Sequence, residues 1–314
     1  MKINLSTRFR QLSICLLSIT LAACSSIQAE ESVPLKKIVS GDNYGKFNDQ
    51  GQERTYYAYM PNAHSDHPLP VVLAFHGYGG SGHSMAEVSR FNELAEQQGF
   101  IAVYPDGIKH NWFLKGNSEN NLDDVSFTNA LLDRLKQTAN IDSHRIYATG
   151  FSKGAILTQV LACRLPNKIA AFASVAGSIP TRLQSNCQPQ APVSMLAING
   201  TNDQSVHYQG DEPSEYRGLI SIPAMLNFWQ SYNHCPTSVK GAFNADASDR
   251  IPVKTVHYSG CSASSEVEHL AVVNGGHFWP GGATKDPNLN QFNAKLGLNA
   301  SQEIWEFFQR HTLP

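Results

Sequence analysis

Continuous apolar runs alternate along the chain with segments of helical periodicity. The first predicted strand differs from these runs, because its apolar and polar residues alternate as in an antiparallel strand. The later continuous runs fit strands that are buried on both faces. The predicted strands cover residues 55–60, 69–75, 100–104, 145–149, 169–175, 193–199, 253–258 and 267–273. The predicted helices cover residues 85–98, 153–163, 222–232 and 301–310, with one more opening at Asp123. This order predicts one α/β domain with a mostly parallel central sheet and helices on both faces.

The N-terminal residues have the pattern of a targeting segment rather than of a folded element. Positive charges precede an apolar stretch, Leu12–Ala22, which is much shorter than the roughly 20 residues that cross a membrane. The stretch leads into Leu21-Ala22-Ala23-Cys24, which resembles the cleavage box of bacterial lipoproteins. The resemblance implies cleavage before Cys24 and a lipid on this cysteine. An ordinary signal peptide with an incidental cysteine is the alternative.

The cleavage box predicts three segments: a signal peptide over residues 1–23, a tether over residues 24–35 and a single folded domain over residues 36–314. Ser25 follows the cysteine, and by resemblance to the sorting rule of Gram-negative lipoproteins this serine favours the outer membrane. We therefore expect an exported protein that is lipid-anchored to the cell envelope or extracellular. The membrane is then a partner only through the lipid anchor.

Four cysteines remain beyond the N-terminal segment: Cys163, Cys187, Cys235 and Cys261. An even number in an exported chain predicts two disulfides, and the sequence alone leaves all three pairings open. A zinc site is the rival interpretation. The chain lacks C-x-x-C and H-x-x-x-H spacing, so we expect no metal and no cofactor.

Charge and composition narrow the classes of partner. The formal net charge is −2, and no long run of one sign occurs. Nucleic acid is therefore not an expected partner, because phosphate binding needs clustered Lys and Arg.

A candidate nucleophile lies between a predicted strand and a predicted helix. Gly150-Phe151-Ser152-Lys153-Gly154 fits G-x-S-x-G, a motif whose serine occupies a tight strand-to-helix turn. Glycines on both sides remove Cβ atoms that would clash there. A plain turn of small residues is the alternative. The setting predicts Ser152 as a nucleophile, which requires a base to activate its hydroxyl.

Asp203 and His277 are the candidate partners of Ser152. Asp203 follows the predicted strand 193–199, at the strand end where open α/β sheets place their sites, whereas Asp211 and Glu212 are rivals deeper in the loop. An Asx-turn role is the alternative for Asp203. His277 follows the last strand on a glycine-rich loop that could carry an imidazole to the serine.

Two further histidines after Ser152, His257 and His269, alternate within predicted strands, where packing or solvent-facing roles are expected.

Backbone donors for an oxyanion are expected on two loops. One is the N–H of Lys153 at a helix N-terminus, and the other comes from Gly77 and Tyr78 after the strand 69–75. His76 precedes these glycines, and we expect it to anchor the loop.

Taken together, the motifs resemble those of the polyhydroxybutyrate-depolymerase-type esterases, a family that includes feruloyl and acetylxylan esterases. The motifs are VLAFHGYGG at 72–80, YPDG at 104–107, DDVSF at 123–127, IYATGFSKGA at 146–155, GTND at 200–203 and GGHFWPG at 275–281. The resemblance implies an α/β-hydrolase fold, a Ser-His-Asp triad and the disulfides Cys163–Cys187 and Cys235–Cys261. Family members often have Asn where this chain has Lys153, and Thr or Ser where it has Phe278.

The expected substrates are small-molecule or polymeric esters with short or aromatic acyl groups, such as feruloyl, acetyl or hydroxybutyrate. Three aromatic residues near the motifs are candidates for substrate binding: Tyr78, Trp112 and Trp279. A serine peptidase of the same fold is one alternative. A catalytically silent envelope lipoprotein or binding module is the other.

Overall fold

A ten-stranded sheet runs through the part of the chain that the computed structural model describes, residues 36–62, 67–113, 122–211, 218–243 and 249–314. The proposed signal peptide, Cys24 and the tether lie outside these residues, and their boundaries stay predictions.

The central strands are parallel and the outer strands antiparallel. In chain order, the strands are β1 Gly41–Asp49, β2 Gln52–Met60, β3 Leu69–Phe75, β4 Ile101–Pro105, β5 Ile141–Phe151, β6 Ala171–Val175, β7 Met195–Gly200, β8 Thr237–Phe243, β9 Val253–Ser259 and β10 Val267–Val272. Their order across the sheet is β1-β2-β4-β3-β5-β6-β7-β10-β9-β8. The run from β4 to β10 is parallel, and two antiparallel strands flank it on each side.

Helices connect the strands. They are α1 Gly82–Ser89, α2 Phe91–Gln98, α3 Asp124–Thr138, α4 Lys153–Arg164, α5 Thr181–Gln184, α6 Ile222–Tyr232, α7 Pro287–Leu296 and α8 Ala300–Phe308. Within the described residues, no helix combines the length and the apolar character that a bilayer crossing needs.

The core has one layer on each face of the sheet, as β3 shows. All seven of its residues are buried; Val71 and Leu73 contribute to the layer that includes α3 and α4, and Val72 and Ala74 to the layer that includes α2 and α8. Alternate side chains of a strand point to opposite faces, so a strand covered on both sides must be apolar throughout. The predicted α/β class and mostly parallel sheet are confirmed.

The structure departs from the predicted elements in the outermost strands of the sheet and in several helices. β1, β8, α5 and α7 were not predicted, and the predicted helix over 85–98 is two helices. Six of the seven residues of β8 are exposed, so this edge strand has no apolar alternation to detect. Arg90 divides the helix because it adopts a left-handed conformation, with φ 56°, and its N–H bonds the carbonyl of Ala86 as a C-cap.

Two disulfides join Cys163 to Cys187 and Cys235 to Cys261, which is the pairing that the family resemblance implies. The first ties the last turn of α4 to the segment before β7. The second ties the segment between α6 and β8 to the segment after β9. Each closes a loop of 24 or 26 residues, for which the chain-entropy description gives about 3 kcal/mol of stabilisation.

A buried ion pair joins β2 to α3. Arg54 Nη2 lies 2.6 Å from Asp124 Oδ1, and each side chain is only 1% exposed. The guanidinium also lies 3.4 Å from the centroid of the Phe127 ring, and the second Asp124 oxygen accepts the N–H of Phe113. The two charges therefore compensate each other inside the core.

Candidate active site

Ser152 occupies the tight turn between β5 and α4. Its backbone is left-handed, with φ 55° and ψ −115°, a strained conformation for a residue other than glycine. A Cβ on Gly150 would lie 2.4 Å from the carbonyl of Gly154, and one on Gly154 would lie 2.1 Å from the carbonyl oxygen of Phe75. Both positions therefore require glycine, which explains the G-x-S-x-G pattern in terms of space.

Asp203 and His277 form a hydrogen-bonded pair. They follow β7 and β10, which are adjacent and parallel, and His277 Nδ1 lies 2.8 Å from Asp203 Oδ2. The ionised carboxylate accepts a hydrogen bond from the Nδ1–H group of His277, so Nε2 retains its lone pair and can act as a base.

The carboxylate of Asp203 is held ionised although it is buried. Its Oδ1 accepts the N–H groups of Ser205 at 2.8 Å and Val206 at 2.9 Å. Burial acts to raise the pKa of Asp203, but the hydrogen bonds from His277, Val206 and Ser205 outweigh burial and hold this pKa below its usual range. An ionised partner would stabilise an imidazolium on His277.

The loops that carry Asp203 and His277 are joined by hydrogen bonds. Asn202 donates its N–H to the carbonyl of Gly275 at 2.9 Å, and Asn274 donates to Thr201 Oγ1 at 2.8 Å. A Cβ on Gly200 would lie 2.3 Å from the carbonyl oxygen of Gly275, so only glycine permits this approach. The pair is thus positioned by backbone contacts as well as by its own hydrogen bond.

His277 lies beside the nucleophile turn, since its imidazole centroid is 4.9 Å from the ring of Phe151. Within the described residues, Ser152 Oγ makes no direct hydrogen bond to His277. Nucleophile–base hydrogen bonds often tighten only in the substrate complex. The arrangement brings the three predicted residues to one edge of the sheet.

The loop after β3 faces the same turn. A Cβ on Gly77 would lie 3.4 Å from the Cβ of Ser152, so the backbone around Gly77 and Tyr78 borders the nucleophile. Within the described residues, the N–H of Tyr78 has no hydrogen-bond acceptor. Lys153 is the first residue of α4, where backbone N–H groups point out of the helix.

His76 anchors the glycine-rich loop after β3 by hydrogen bonds from its buried imidazole. It is 1% exposed, its Nε2 accepts the N–H of Gly107 at 3.0 Å, and its Nδ1 donates to the carbonyl of Gly77 at 2.7 Å. Burial lowers the pKa of His76 and outweighs the opposing effects of Gly77 and of the Asp106 charge. A neutral, fully bonded imidazole fits an anchoring role.

Asp106 is a positioning residue to which sequence reasoning gave no role. Its Oδ1 accepts the N–H of Gly82 at 2.7 Å, and its Oδ2 accepts the hydroxyl of Thr55 at 2.7 Å. It therefore fastens the glycine-rich loop to β2. The YPDG motif at 104–107 was the available signal.

Two of the three aromatic predictions for substrate binding are wrong. Trp112 is 3% exposed, its ring packs 4.6 Å from His76, and its Nε1 donates to the carbonyl of His76 at 2.7 Å. Trp279 is also 3% exposed, and its Nε1 donates to Ser301 Oγ at 3.1 Å. Both indoles are held inside the core, so neither offers a face to a ligand.

Tyr78 differs from both tryptophans because it is 76% exposed. It is the aromatic side chain of the three that a substrate can reach.

The sheet order and the sharp turn at Ser152 between β5 and α4 are features of the α/β-hydrolase fold. The solved acetyl xylan esterase from Aspergillus awamori superposes with a TM-score of 0.57 at 16% identity, covering 80% of this chain and 99% of that one. The sheet and flanking helices are therefore those of the α/β-hydrolase fold.

Residues 54–188 match the family model described as Esterase PHB depolymerase. The bifunctional acetylxylan esterase/xylanase XynS20E of Neocallimastix patriciarum is 26% identical over 84% of this chain and 34% of its own length. Feruloyl esterase D of Neurospora crassa is 25% identical over 84% of both chains. The chain spans 34% to 66% of the length of three relatives that it matches.

Proposed function

We propose that this protein is a serine carboxylic ester hydrolase with Ser152, His277 and Asp203 as its catalytic triad. The observation that carries the proposal is the 2.8 Å pair of His277 and Asp203 on adjacent strand ends, beside a serine held at φ 55°. The named esterases among the relatives support the same reaction class.

The proposed reaction proceeds through an acyl-enzyme. Ser152 Oγ attacks the ester carbonyl carbon while His277 Nε2 takes the hydroxyl proton. The carbonyl electron pair moves to oxygen, and its return breaks the bond to the alkoxy group, which leaves as the alcohol after receiving the proton from His277. Water then attacks the acyl-enzyme with His277 again as base, releasing the acid and Ser152.

The negative oxygen formed in each attack requires backbone donors. We assign the oxyanion hole to the N–H of Lys153 at the start of α4 and to the backbone at Gly77 and Tyr78. The support is the position of Gly77 against Ser152 and the many hydrogen bonds that fix this loop. Donors fixed before the reaction stabilise developing charge without reorganising.

The proposal is tested by labelling with a fluorophosphonate probe, which reacts with activated serines. The wild-type protein should be labelled stoichiometrically at Ser152, as located by peptide mass spectrometry. Ser152→Ala should not be labelled, whereas Ser231→Ala, a control on the exposed side of α6, should be labelled as the wild type is. Failure to label the folded wild type would favour the silent binding module.

We expect short or aromatic acyl esters to be the better substrates. The support is the acetylxylan and feruloyl esterases among the relatives and the exposed ring of Tyr78. kcat/KM should be at least about tenfold higher for p-nitrophenyl acetate or methyl ferulate than for p-nitrophenyl palmitate, which corresponds to about 1.4 kcal/mol. A preference for palmitate would contradict this substrate class, and cleavage of matched amides at similar rates would favour a peptidase.

Tyr78 and Trp279 should respond differently to substitution. Tyr78→Ala should change the kcat/KM ratio of methyl ferulate to p-nitrophenyl acetate by about two- to tenfold, the value of one aromatic contact, and leave stability nearly unchanged. Trp279→Phe should lower the free energy of unfolding by about 1–2 kcal/mol and leave the ratio unchanged, because Trp279 is buried. A changed ratio in Trp279→Phe alone would reverse the two assignments.

We further propose that the protein is exported and attached to the cell envelope by lipid on Cys24. The cleavage box and the two disulfides support this location, because disulfides persist in oxidising compartments. Cys24→Ala should shift the protein from the membrane fraction to a soluble or mislocalised form, as measured by fractionation and immunoblotting. Cys15→Ala is the matched control and should fractionate as the wild type does. Membrane retention of Cys24→Ala would point to an uncleaved apolar segment.

A further inference from the structure

A second cluster of polar side chains lies at the N-terminal ends of the parallel strands, whereas Ser152 lies at their C-terminal ends. It is formed by His257 on β9, Glu266 just before β10, and Glu268 near the start of β10. His257 and Glu268 are directly opposed across the two antiparallel strands. His257 Nε2 lies 3.8 Å from an oxygen of each carboxylate.

The donor atoms of the three residues converge. One atom from each lies within 4.8 Å of the others. Donors that share a zinc ion are each about 2.0–2.2 Å from it, so a small inward movement of these side chains would complete a shell. The set of one imidazole and two carboxylates suits a borderline divalent cation.

The two carboxylate oxygens of Glu266 face different residues. Its Oε2 lies 3.2 Å from Arg310, whereas its Oε1 is the atom that faces His257. Arg310 also contacts Glu268, through Oε1, which is the same oxygen that lies 3.8 Å from His257, so one guanidinium holds both carboxylates in the convergent arrangement. Two carboxylates and one guanidinium leave a formal charge of −1, which favours a cation.

Two imidazole nitrogens around the cluster face carboxylates without a hydrogen bond to them. His257 Nε2 and His311 Nε2 have no hydrogen-bond partner within the described residues, and both atoms are buried although the His257 side chain as a whole is 41% exposed. The His311 side chain is 7% exposed, its Nδ1 lies 3.2 Å from Ser194 Oγ, and its Nε2 points at Glu266 Oε2 from 3.6 Å. Buried polar atoms without partners are uncommon and call for an explanation.

We propose that His257, Glu266 and Glu268 bind a divalent transition-metal ion of the zinc class, with Arg310 orienting both carboxylates through hydrogen bonds. Hydrogen-bonded partners of this kind position metal-binding carboxylates in many proteins. The site would connect β9 and β10 to the segment after α8, and its role would be structural. The sequence analysis expected no metal from the absence of C-x-x-C and H-x-x-x-H spacing, whereas His257 and Glu266 are nine residues apart and come together through the pairing of β9 with β10.

The test is titration of the EDTA-treated and dialysed protein with ZnCl2 by isothermal calorimetry at pH 7.5. We expect one saturable site, weakened at least about tenfold by His257→Ala and by Glu268→Gln. The control is His83→Ala, which removes an exposed histidine 3.4 Å from Glu87 and should leave binding unchanged. Binding that is absent in the wild type, or that His83→Ala removes and His257→Ala does not, would overturn the proposal.

A second measurement separates binding from folding. Co²⁺ added to the wild type should give visible absorption bands of a bound ion, and these should vanish in His257→Ala while far-ultraviolet circular dichroism stays unchanged. Ca²⁺ should not compete. Competition by Ca²⁺ together with Co²⁺ bands that persist in His257→Ala would exclude the imidazole as a ligand and overturn the site.

Discussion

Ser152→Ala is expected to lower kcat for p-nitrophenyl acetate by about 10⁴- to 10⁶-fold, the range found when a triad nucleophile is removed. The hydroxyl is the only group at this position that can form the acyl-enzyme. KM should change little, because the backbone of the turn is set by the neighbouring glycines. The fold should be retained, since Oγ accounts for none of the described hydrogen bonds.

His277→Ala and Asp203→Asn should also lower kcat, although both variants keep the nucleophile. His277→Ala removes the base, and Asp203→Asn removes the ionised acceptor that fixes the Nδ1 proton, which costs about 10⁴-fold in a comparable triad. The double variant Ser152→Ala/His277→Ala should be no worse than Ser152→Ala, because the residues act as a unit. Active-site titration is needed to exclude trace wild-type enzyme. Turnover of His277→Ala near that of the wild type would contradict the assignment of the base.

Asp124→Asn is expected to lower the free energy of unfolding by about 3–5 kcal/mol, because it leaves the Arg54 charge buried without a counter-ion. Both side chains are 1% exposed, and the Asp124 carboxylate also holds the N–H of Phe113. Arg54→Met should have an effect of similar size through the unpaired carboxylate. The measurement is urea unfolding followed by tryptophan fluorescence.

The matched control is the exposed pair Lys46–Glu53, whose N···O distance is 2.9 Å. Glu53→Gln should change stability by less than about 1 kcal/mol, because solvent already screens that pair. The double replacement Arg54→Met/Asp124→Leu should be more stable than either single variant, since it removes both charges together. If Asp124→Asn were as stable as Glu53→Gln, the buried pair would not contribute as proposed.

The sequence predicts the central strands because burial on both faces leaves a continuous apolar run. β3 and β7 follow this rule, and every residue in each is buried. β8 does not follow it, since solvent covers nearly all its side chains and its pairing with β9 depends on backbone hydrogen bonds. Edge strands of this kind have no periodic signal in the sequence.

Sequence motifs predict where a residue lies in the fold better than they predict whether its side chain is exposed to solvent. Asp203 and His277 could be placed because strand order fixes where their loops emerge. Trp112 and Trp279 were misassigned because an indole near a motif can lie on the surface or under the loop. Their burial depends on Phe75, Phe91 and His76, contacts that form only when distant segments fold together.

The Asp106 hydrogen bonds and the His76 imidazole have a consequence for protein engineering. They fix the main chain of the glycine-rich loop on both sides of residue 78, while the side chain at that position projects into solvent. A saturation library at residue 78 can therefore vary the rim of the proposed site without moving the backbone donors that we assign to the oxyanion hole. Randomising residue 106 or 76 would instead vary catalytic geometry, so the two kinds of library would select for acyl preference and for rate separately.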